Sequence, residues 1–316
     1  MQVRKQEDEA RQEAELEVLR QMLTPTKEIL TKLCDSFLIE LQRGLEMHKK
    51  HGAEWVPSEC SMKMLDSCVP HLPSGQETGE VYAIDFGGST VRAVRCSLEG
   101  NGKMTVEQEK VCLRTAESPF PKGFMDKKAG GTELFNEFAK CAHRLLVNSG
   151  DLQKCEAEHK KLPVGFTFSF PCIQTALNSS KLQSWTKGFE TGRESGDVVE
   201  GQDVAALLTK ALEHLNVPLN VKAVVNDTVG TLMSCAYQRK PGSPQCLVAL
   251  ILGTGFNACY VEPEAQKYGY QGSIVNLEAG NYNRELPYTE VDTEVRNKLI
   301  WWDARHGAAV ASVFSF

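Results

Sequence analysis

Two segments of the chain share one pattern, in which an apolar strand runs into a glycine turn and continues as a second apolar strand. The first covers residues 81–98 (VYAIDFGGSTVRAVRCSL), and the second covers residues 247–262 (LVALILGTGFNACYVE). Short apolar runs interrupted by Gly-Gly or Gly-x-Gly are typical of β-hairpins with tight turns. Because helical segments separate the two hairpins, the repeated pattern indicates a duplicated α/β architecture.

Periodicity assigns most of the remaining chain. Residues 1–23 are predicted to be a charged helix with little to bury, and residues 26–47 an amphipathic helix that must dock on another element. Residues 70–80 (PHLPSGQETGE) have loop composition and mark a predicted domain boundary. Between the hairpins we predict helices at residues 135–147, 203–215 and 228–237, and strands at residues 162–170 and 222–226.

Composition narrows the function. With 316 residues the chain is long enough for two domains, and its net charge of −6 argues against a nucleic-acid partner. The longest apolar run, residues 247–252, is far shorter than the roughly 20 residues of a membrane helix. The acidic N-terminus lacks the apolar core of a signal peptide. The 11 cysteines form no CxxC pair, which predicts reduced thiols in a cytoplasmic protein, with Cys235 and Cys259 as small core groups.

The turn of the first hairpin carries groups that suit a phosphate. Its strand ends on a carboxylate, Asp85, and two glycines follow, whose bare amides can approach phosphate oxygens closely. The hydroxyls of Ser89 and Thr90 lie beside them, and Arg92 adds a positive charge. Taken alone, the same residues also fit an ordinary hairpin turn.

The second turn, residues 252–257 (LGTGFN), is of the same kind. It is not a dinucleotide fingerprint, since it has no third glycine, and no GxxxxGK[ST] loop occurs in the chain. Between the two turns, residues 224–230 (VVNDTVG) take an apolar strand into polar groups and then a helix. Functional groups of α/β folds collect at the ends of such strands. Asp227 is therefore either a catalytic base or a helix N-cap.

Residues 162–189 offer groups of the kind that bind sugars. Ser169 and Thr186 supply neutral hydroxyls, and Lys187 supplies a cation. An irregular surface loop is the alternative interpretation. The aromatic residues argue for burial of this segment instead; they are Phe166, Phe168, Phe170 and Trp185.

In combination these segments resemble the hexokinase family. DFGGSTVRAV is similar to its phosphate-1 segment, LPVGFTFSFP with WTKGF to its sugar-binding signature, VVNDTVGTLMSCAY to the segment of its catalytic aspartate, and LILGTGFNACYVE to phosphate-2. The tripeptide beginning at Lys63 (KML) also fits. The segments follow the family's order from about Thr26 to Asn297. One such match would be weak, whereas several in order are specific.

The resemblance implies an ATP-dependent hexose phosphotransferase of the actin-like, ribonuclease H-like, two-lobe α/β fold. Residues 78–222 would form the small lobe, and residues 1–77 would join residues 223–316 in the large lobe. The implied reaction moves the γ-phosphate of ATP to the 6-hydroxyl of glucose or a related hexose, the first step of glycolysis, with Mg²⁺ accompanying ATP. Oligomeric state cannot be read from the sequence.

The resemblance also implies roles for individual residues. Asp227 would be the general base for the 6-hydroxyl, aided in catalysis by Lys187 and Arg92. The hexose would be hydrogen-bonded by Ser169, Thr186, Lys187, Asn226, Asp227, Asn257 and Glu278. Mg-ATP would be held by Asp85, Gly87, Gly88, Ser89, Thr90, Thr228, Gly253 and Thr254, together with Arg92. No side chain is assigned as a resident metal ligand.

The sequence departs from the family pattern in three places. Ser89-Thr90 stands where the family usually has Thr-Asn, and Ala279 stands where it usually has Trp. After Asn297 the chain reads KLIWWDARHGAAVASVFSF, in which no family segment is recognised, and Trp301 and Trp302 are interpreted as an unmatched tail. We therefore expect a C-terminally incomplete large lobe, and a 316-residue chain that is poorly soluble or weakly active when expressed alone.

Two other functions remain open at this point. One is a catalytically weak or inactive hexokinase-derived protein that binds sugar. The other is a different sugar or acetate kinase of the same fold, which the SFP and WTKGF segments disfavour because they resemble hexokinases specifically.

Overall fold

The computed structural model describes residues 2–114, 118–240, 242–253, 255–290 and 292–294, and it is a mixed α/β structure with two main sheets. The helices are α1 (Gln2–Leu23), α2 (Lys27–His51), α3 (Gly131–Ser149), α4 (Asp151–Glu158), α5 (Val204–His214) and α6 (Asp227–Tyr237). The strands are β1 (Leu65–Asp66), β2 (Thr78–Phe86), β3 (Thr90–Gly100), β4 (Lys103–Cys112), β5 (Leu162–Phe168), β6 (Cys172–Ala176), β7 (Ser179–Leu182), β8 (Leu219–Val225), β9 (Val248–Leu252), β10 (Phe256–Val261) and β11 (Ile274–Asn276).

The first sheet has five strands in the order β4-β3-β2-β5-β8. Strands β2 and β3 form the predicted antiparallel hairpin, and β4 extends it by a further antiparallel pairing. Strand β4 is not predicted from the sequence, because KMTVEQEKVC is largely polar and its side chains are mostly exposed. Strand β5 pairs in parallel with both β2 and β8. The carboxyl ends of β2, β5 and β8 therefore meet at one edge of the sheet.

An aromatic cluster fills the core beneath that edge. Phe86, the last residue of β2, is fully buried, and its ring lies within 6.4 Å, centroid to centroid, of five other aromatic rings. Those rings belong to Phe138, Phe168, Phe170, Trp185 and Phe189. The predicted burial of the aromatic residues in the 162–189 segment is confirmed, because Phe166, Phe168, Phe170 and Trp185 are all buried.

The second sheet is antiparallel throughout and has the order β1-β11-β10-β9. Helix α6 packs on it through Val229 and Leu232, which lie against Ala249, Cys259 and Ile274. The pairing of β1 with β11 joins the segment after α2 to this sheet. Strand β8 runs across the expected lobe boundary at residue 222 and belongs to the first sheet.

Helix α2 docks as its amphipathic pattern predicts, with Leu45 and Met47 buried against Tyr268 and Tyr270. Two apolar residues of that pattern, Leu30 and Leu38, are exposed instead. The predicted apolar stripe is wider than the surface against which the helix packs.

The cysteine predictions have mixed outcomes. All 11 cysteines lie in the described part of the chain, and none is disulfide-bonded. Cys259 is buried, as predicted for a small core group, whereas Cys235 is exposed. Cys235 does not belong to the apolar cluster through which Val229 and Leu232 of α6 pack on the second sheet. In the described part no helix is both long enough and apolar enough to cross a bilayer.

The edge strand β9 of the second sheet carries a row of exposed apolar residues. Alternate residues of β9, namely Val248, Leu250 and Leu252, expose about half or more of their surface. An apolar groove of about 920 Å³ lies beside them, between β9 and α2, and includes Leu33, Phe37 and Phe256. The predicted tail at residues 298–316, with Trp301 and Trp302, lies outside the described residues.

The Phe86 cluster provides a test of the fold. Replacing Phe86 with Ala leaves a cavity among five rings, and we expect the free energy of unfolding to fall by about 3–5 kcal/mol. Urea denaturation followed by circular dichroism measures the change. The control is Val106→Thr on the exposed strand β4, which should stay within about 0.5 kcal/mol of wild type. Equal effects of the two substitutions would contradict this description of the core.

Candidate active site

The turn after β2 lies at the edge where the parallel strands end. Asp85 and Arg92 are direct cross-strand neighbours on β2 and β3. The Arg92 guanidinium donates to Asp85 Oδ2 at 2.9 Å, so each group neutralises the other in this structure. The carbonyl of Ser89 accepts from Leu113 N at 2.7 Å, which fixes the turn. Thr90 begins β3 directly after it.

Neither Gly87 nor Gly88 has a positive φ, so backbone conformation does not require glycine at either position, whereas space requires it at Gly87. A Cβ on Gly87 would lie 2.7 Å from Ser169 Oγ and 3.9 Å from Asp227 Oδ2. For Gly88, no described atom lies within 4 Å of that position. Gly87 thus lets Ser169 and Asp227 approach the turn, and Gly88 leaves its backbone open to a ligand.

Lys187 ties the 183–189 segment to this turn. Its ammonium group donates to the carbonyl of Gly87 at 3.0 Å and to that of Ser169 at 2.9 Å. It also lies over the Phe170 ring, 5.3 Å from the centroid. The hydroxyl of Ser169 is buried and has no hydrogen-bond partner among the described residues. A buried, unpaired hydroxyl is costly, and a bound ligand with hydroxyl groups would relieve that cost.

The start of α6 separates the two roles left open for Asp227. Asn226 is the N-cap, and its side-chain oxygen accepts from Thr228 N at 3.0 Å and from Thr228 Oγ1 at 2.8 Å. Asp227 is the first helical residue, and its Oδ1 also accepts from Thr228 N, at 3.0 Å. Its Oδ2 lies on the side of Gly87. Thr228, which is predicted to contact Mg-ATP, is buried, and in this structure its hydroxyl donates to the side chain of the N-cap residue Asn226.

A chain of carboxamides continues from Asn226 into the second sheet. The side-chain nitrogen of Asn257 donates to Asn226 Oδ1 at 3.3 Å and to Asn276 Oδ1 at 2.9 Å. Asn276 in turn donates to Glu278 Oε1 at 3.0 Å. Asn276 was not predicted from the sequence. The sequence feature that could have indicated it is an Asn at the end of a short apolar strand, two residues before Glu278.

Glu278 lies at the end of this chain of amides. It is half-buried and has a φ of 52°, a conformation that is uncommon outside glycine. Burial raises the pKa of its carboxyl, and the charge of Asp227 raises it further. The hydrogen bond from Asn276 and the charges of Lys63 and Lys187 lower that pKa. Asp227, Lys63 and Lys187 therefore all lie near enough to Glu278 to affect the charge of its carboxyl.

The remaining predicted residues that the structure describes contribute backbone hydrogen bonds to the segments around the site. The carbonyl of Thr186 accepts from Phe189 N at 3.1 Å, and Thr186 is half-buried in the same segment as Lys187. Gly253 donates to the carbonyl of Gly255 across the second turn, and Thr254 lies outside the described residues. Ala279, where the family usually has Trp, keeps a backbone role, because its N–H donates to Asn257 Oδ1 at 3.1 Å.

Carboxylates, amides and an unpaired hydroxyl converge where the two sheets of this α/β protein meet, and comparison with known proteins identifies its family. Family models described as hexokinase match residues 15–237 and residues 247–303. The second match extends past Asn297, where the sequence had shown no further resemblance. The chain belongs to the hexokinase family, and its fold is the two-lobe hexokinase fold.

Individual relatives agree with this assignment. The chain is 67% identical over 298 residues to a hexokinase of Toxoplasma gondii, covering 94% of this chain and 64% of that protein. It is 49% identical to a hexokinase of Plasmodium falciparum, covering 83% of this chain and 53% of that protein. The chain thus spans between half and two thirds of the length of these two relatives.

Solved structures give the same result. A structure described as the crystal structure of hexokinase superposes with a TM-score of 0.80 at 48% identity, covering 88% of this chain and 59% of that one. A Schistosoma mansoni hexokinase complexed with glucose superposes with a TM-score of 0.67 at 32% identity, covering 89% of this chain and 58% of that one.

The two glycines of the first turn give a matched test of the site. Gly87→Ala places a methyl group against Ser169, and we expect the free energy of unfolding to fall by about 1–3 kcal/mol through overpacking. Gly88→Ala meets no neighbouring atom and should change that free energy by less than about 0.5 kcal/mol. Urea denaturation of both variants measures the difference. A Gly88 variant as unstable as the Gly87 variant would contradict the geometry.

Proposed function

We propose that this chain forms part of a hexokinase that transfers the γ-phosphate of ATP to the 6-hydroxyl of glucose or a related hexose, the first step of glycolysis. Support comes from the 67% identity to a curated hexokinase over most of the chain. Further support comes from the likeness to a hexokinase structure described as complexed with glucose. The proposal also places the protein in the cytoplasm, a reducing compartment in which the free thiols of the cysteines are expected.

The proposal rests mainly on the different positions of Asn226 and Asp227 at the start of α6. Because Asn226 caps the helix, Asp227 retains a carboxylate oxygen on the side of Gly87 and Ser169. A carboxylate there is placed to accept the proton of a sugar hydroxyl as that oxygen attacks phosphorus. In this proposal Asp227 is the general base.

The groups around Asp227 suit a polyhydroxylated ligand. The unpaired hydroxyl of Ser169, the carboxamides of Asn226 and Asn257, and the carboxylate of Glu278 offer both donors and acceptors. Several directional hydrogen bonds distinguish one hexose from another, because a misplaced hydroxyl leaves buried polar groups unpaired. Lys187 holds the Gly87 and Ser169 carbonyls together and so keeps the phosphate turn and the sugar segment at a fixed separation.

The first turn would receive the phosphates of Mg-ATP. The open backbone at Gly88 lets a phosphate oxygen approach the amide closely, and Arg92 brings positive charge beside Asp85. Ser89, Thr90, Gly253 and Thr254 belong to the same proposed nucleotide site. Magnesium bound to ATP supplies further positive charge for the transferred group.

The base is tested by replacing Asp227 with Ala in the full-length protein. We expect kcat to fall by about 10²–10⁴-fold, while folding and glucose binding stay close to wild type. An assay that couples ADP release to a spectroscopic signal measures turnover, and Asp35→Ala on the exposed side of α2 is the control. A variant that keeps near-normal kcat would remove Asp227 from this role.

The sugar site is tested by ligand-linked stabilisation. Glucose should raise the melting temperature of the protein, because a ligand that binds only the folded state stabilises it. Galactose, which differs at one hydroxyl, should raise that temperature less. Equal shifts from the two sugars would count against a shaped hexose pocket. Stabilisation by glucose without ADP release would favour the alternative of a sugar-binding protein that is catalytically inactive.

A further inference from the structure

Lys63 lies in the connection between α2 and β2, where the proposed mechanism gives it no role. The residues before and after it, Met62 and Met64, are fully buried, and Lys63 itself is half-buried. Its ammonium group donates to Gln183 Oε1 at 3.0 Å and lies 5.2 Å from the centroid of the Trp55 ring. The lysine is therefore held by two partners and does not extend freely into solvent.

Both partners of Lys63 are themselves anchored. The indole N–H of Trp55 donates to the carbonyl of Cys60 at 2.9 Å, which fixes the ring beneath the ammonium group. The backbone N–H of Gln183 donates to the carbonyl of Pro171 at 2.9 Å. Gln183 begins the segment that carries Thr186 and Lys187. Lys63 thus connects the chain beside the second sheet to the sugar-binding segment of the first.

Lys63 also acts on the proposed sugar carboxylate. Burial lowers the pKa of the Lys63 ammonium, and the charge of Glu278 raises it. Lys63 in turn lowers the pKa of Glu278. The other charged groups that act on Glu278 are Asp227, which raises its pKa, and Lys187, which lowers it. The Cys172 thiol is the remaining titratable neighbour of Lys63.

A lysine that only packs its aliphatic stem behaves differently. Lys267 provides the comparison within this chain. It lies over the Tyr268 ring at 5.5 Å, but it is largely exposed and its ion-pair partner, Glu264, is also exposed. Lys63 shares the cation–π contact with Lys267 but differs in its burial, in its bond to Gln183 and in its action on Glu278.

We propose that Lys63 is a positioning residue of the sugar site, which holds the Glu278 carboxylate and the 183–187 segment in the arrangement that accepts a hexose. This inference rests on the proposed function. Hydrogen bonds to an ionised carboxylate are stronger than those to a neutral group, so a nearby fixed cation favours sugar binding. Lys187 also acts on Glu278, but its ammonium group bonds to the carbonyls of Gly87 and Ser169, whereas that of Lys63 bonds to Gln183.

The test is calorimetric titration of glucose into wild type, Lys63→Met, Lys63→Arg and Lys267→Met, from about pH 5.5 to about pH 8. Lys63→Met should weaken glucose binding about tenfold at neutral pH, because both the bond to Gln183 and the favourable charge interaction with Glu278 are lost. A tenfold change corresponds to about one pKa unit. Lys63→Arg should recover part of the affinity, because it keeps the charge. Lys267→Met should bind glucose as wild type does.

The pH profile separates this role from a purely structural one. An ionised acceptor supports binding above its pKa, and that support is lost as the pH falls through it. Removing Lys63 raises the pKa of Glu278, so Lys63→Met should lose affinity on acidification at a higher pH than wild type. Lys63→Met with wild-type affinity and profile would overturn the inference alone. A wild-type protein that does not bind glucose would overturn the proposed function, and this inference with it.

A second variant covers the case in which Lys63→Met fails to fold. Gln183→Met leaves the lysine in place but removes the acceptor that fixes its ammonium group. We expect a smaller loss of glucose affinity, with the same direction of pH shift. Unchanged affinity and profile in a folded Gln183→Met protein, as judged by circular dichroism, would also overturn the inference.

Discussion

The parallel pairing of β5 with both β2 and β8 is the constraint on which the rest of the site depends. Parallel strands end at the same edge, so Gly87, Ser169 and Asn226, each of which directly follows one of these strands, are brought together there. The Phe86 cluster beneath fixes the strands in register, because close-packed rings tolerate little relative movement. Without the cluster the strands would still pair, but the small separations at their ends would not be defined.

From that edge, polar order extends into the second sheet. The amides of Asn226, Asn257 and Asn276 bond to one another in sequence and end on Glu278. A buried hydrogen-bond network stabilises a fold only when almost all of its donors and acceptors are paired, since an unpaired buried polar group is costly. The one buried hydroxyl of this region without a partner among the described residues, that of Ser169, lies beside Gly87, as does Asp227 Oδ2.

Several residues at the site have a role that their contacts explain. Asn226 serves as the helix cap and also accepts from Asn257, so Asp227 keeps an oxygen available. Gly87 has an ordinary backbone conformation, and its lack of a side chain matters only because Ser169 approaches within contact distance. The positive charges of Lys63 and Lys187 both lower the pKa of Glu278, although only Lys187 belongs to a segment that resembles the family's sugar-binding signature.

The sequence by itself determined the two glycine hairpins, the helices around them and the family, because periodicity and ordered motifs are local properties of the chain. It also singled out Asp227, Ser169 and Lys187 from their residue types and positions, whereas Glu278 was predicted only through resemblance. It did not predict β4, because this polar edge strand has no apolar pattern. It also did not predict the exposure of Leu38 and Cys235. Only the tertiary structure decided that Asn226 and not Asp227 caps α6, that Asn276 links Asn257 to Glu278, and that Lys63 reaches Gln183 across 120 residues of sequence. These are contacts between distant segments, and their geometry is set by strand pairing and core packing, which no local pattern encodes.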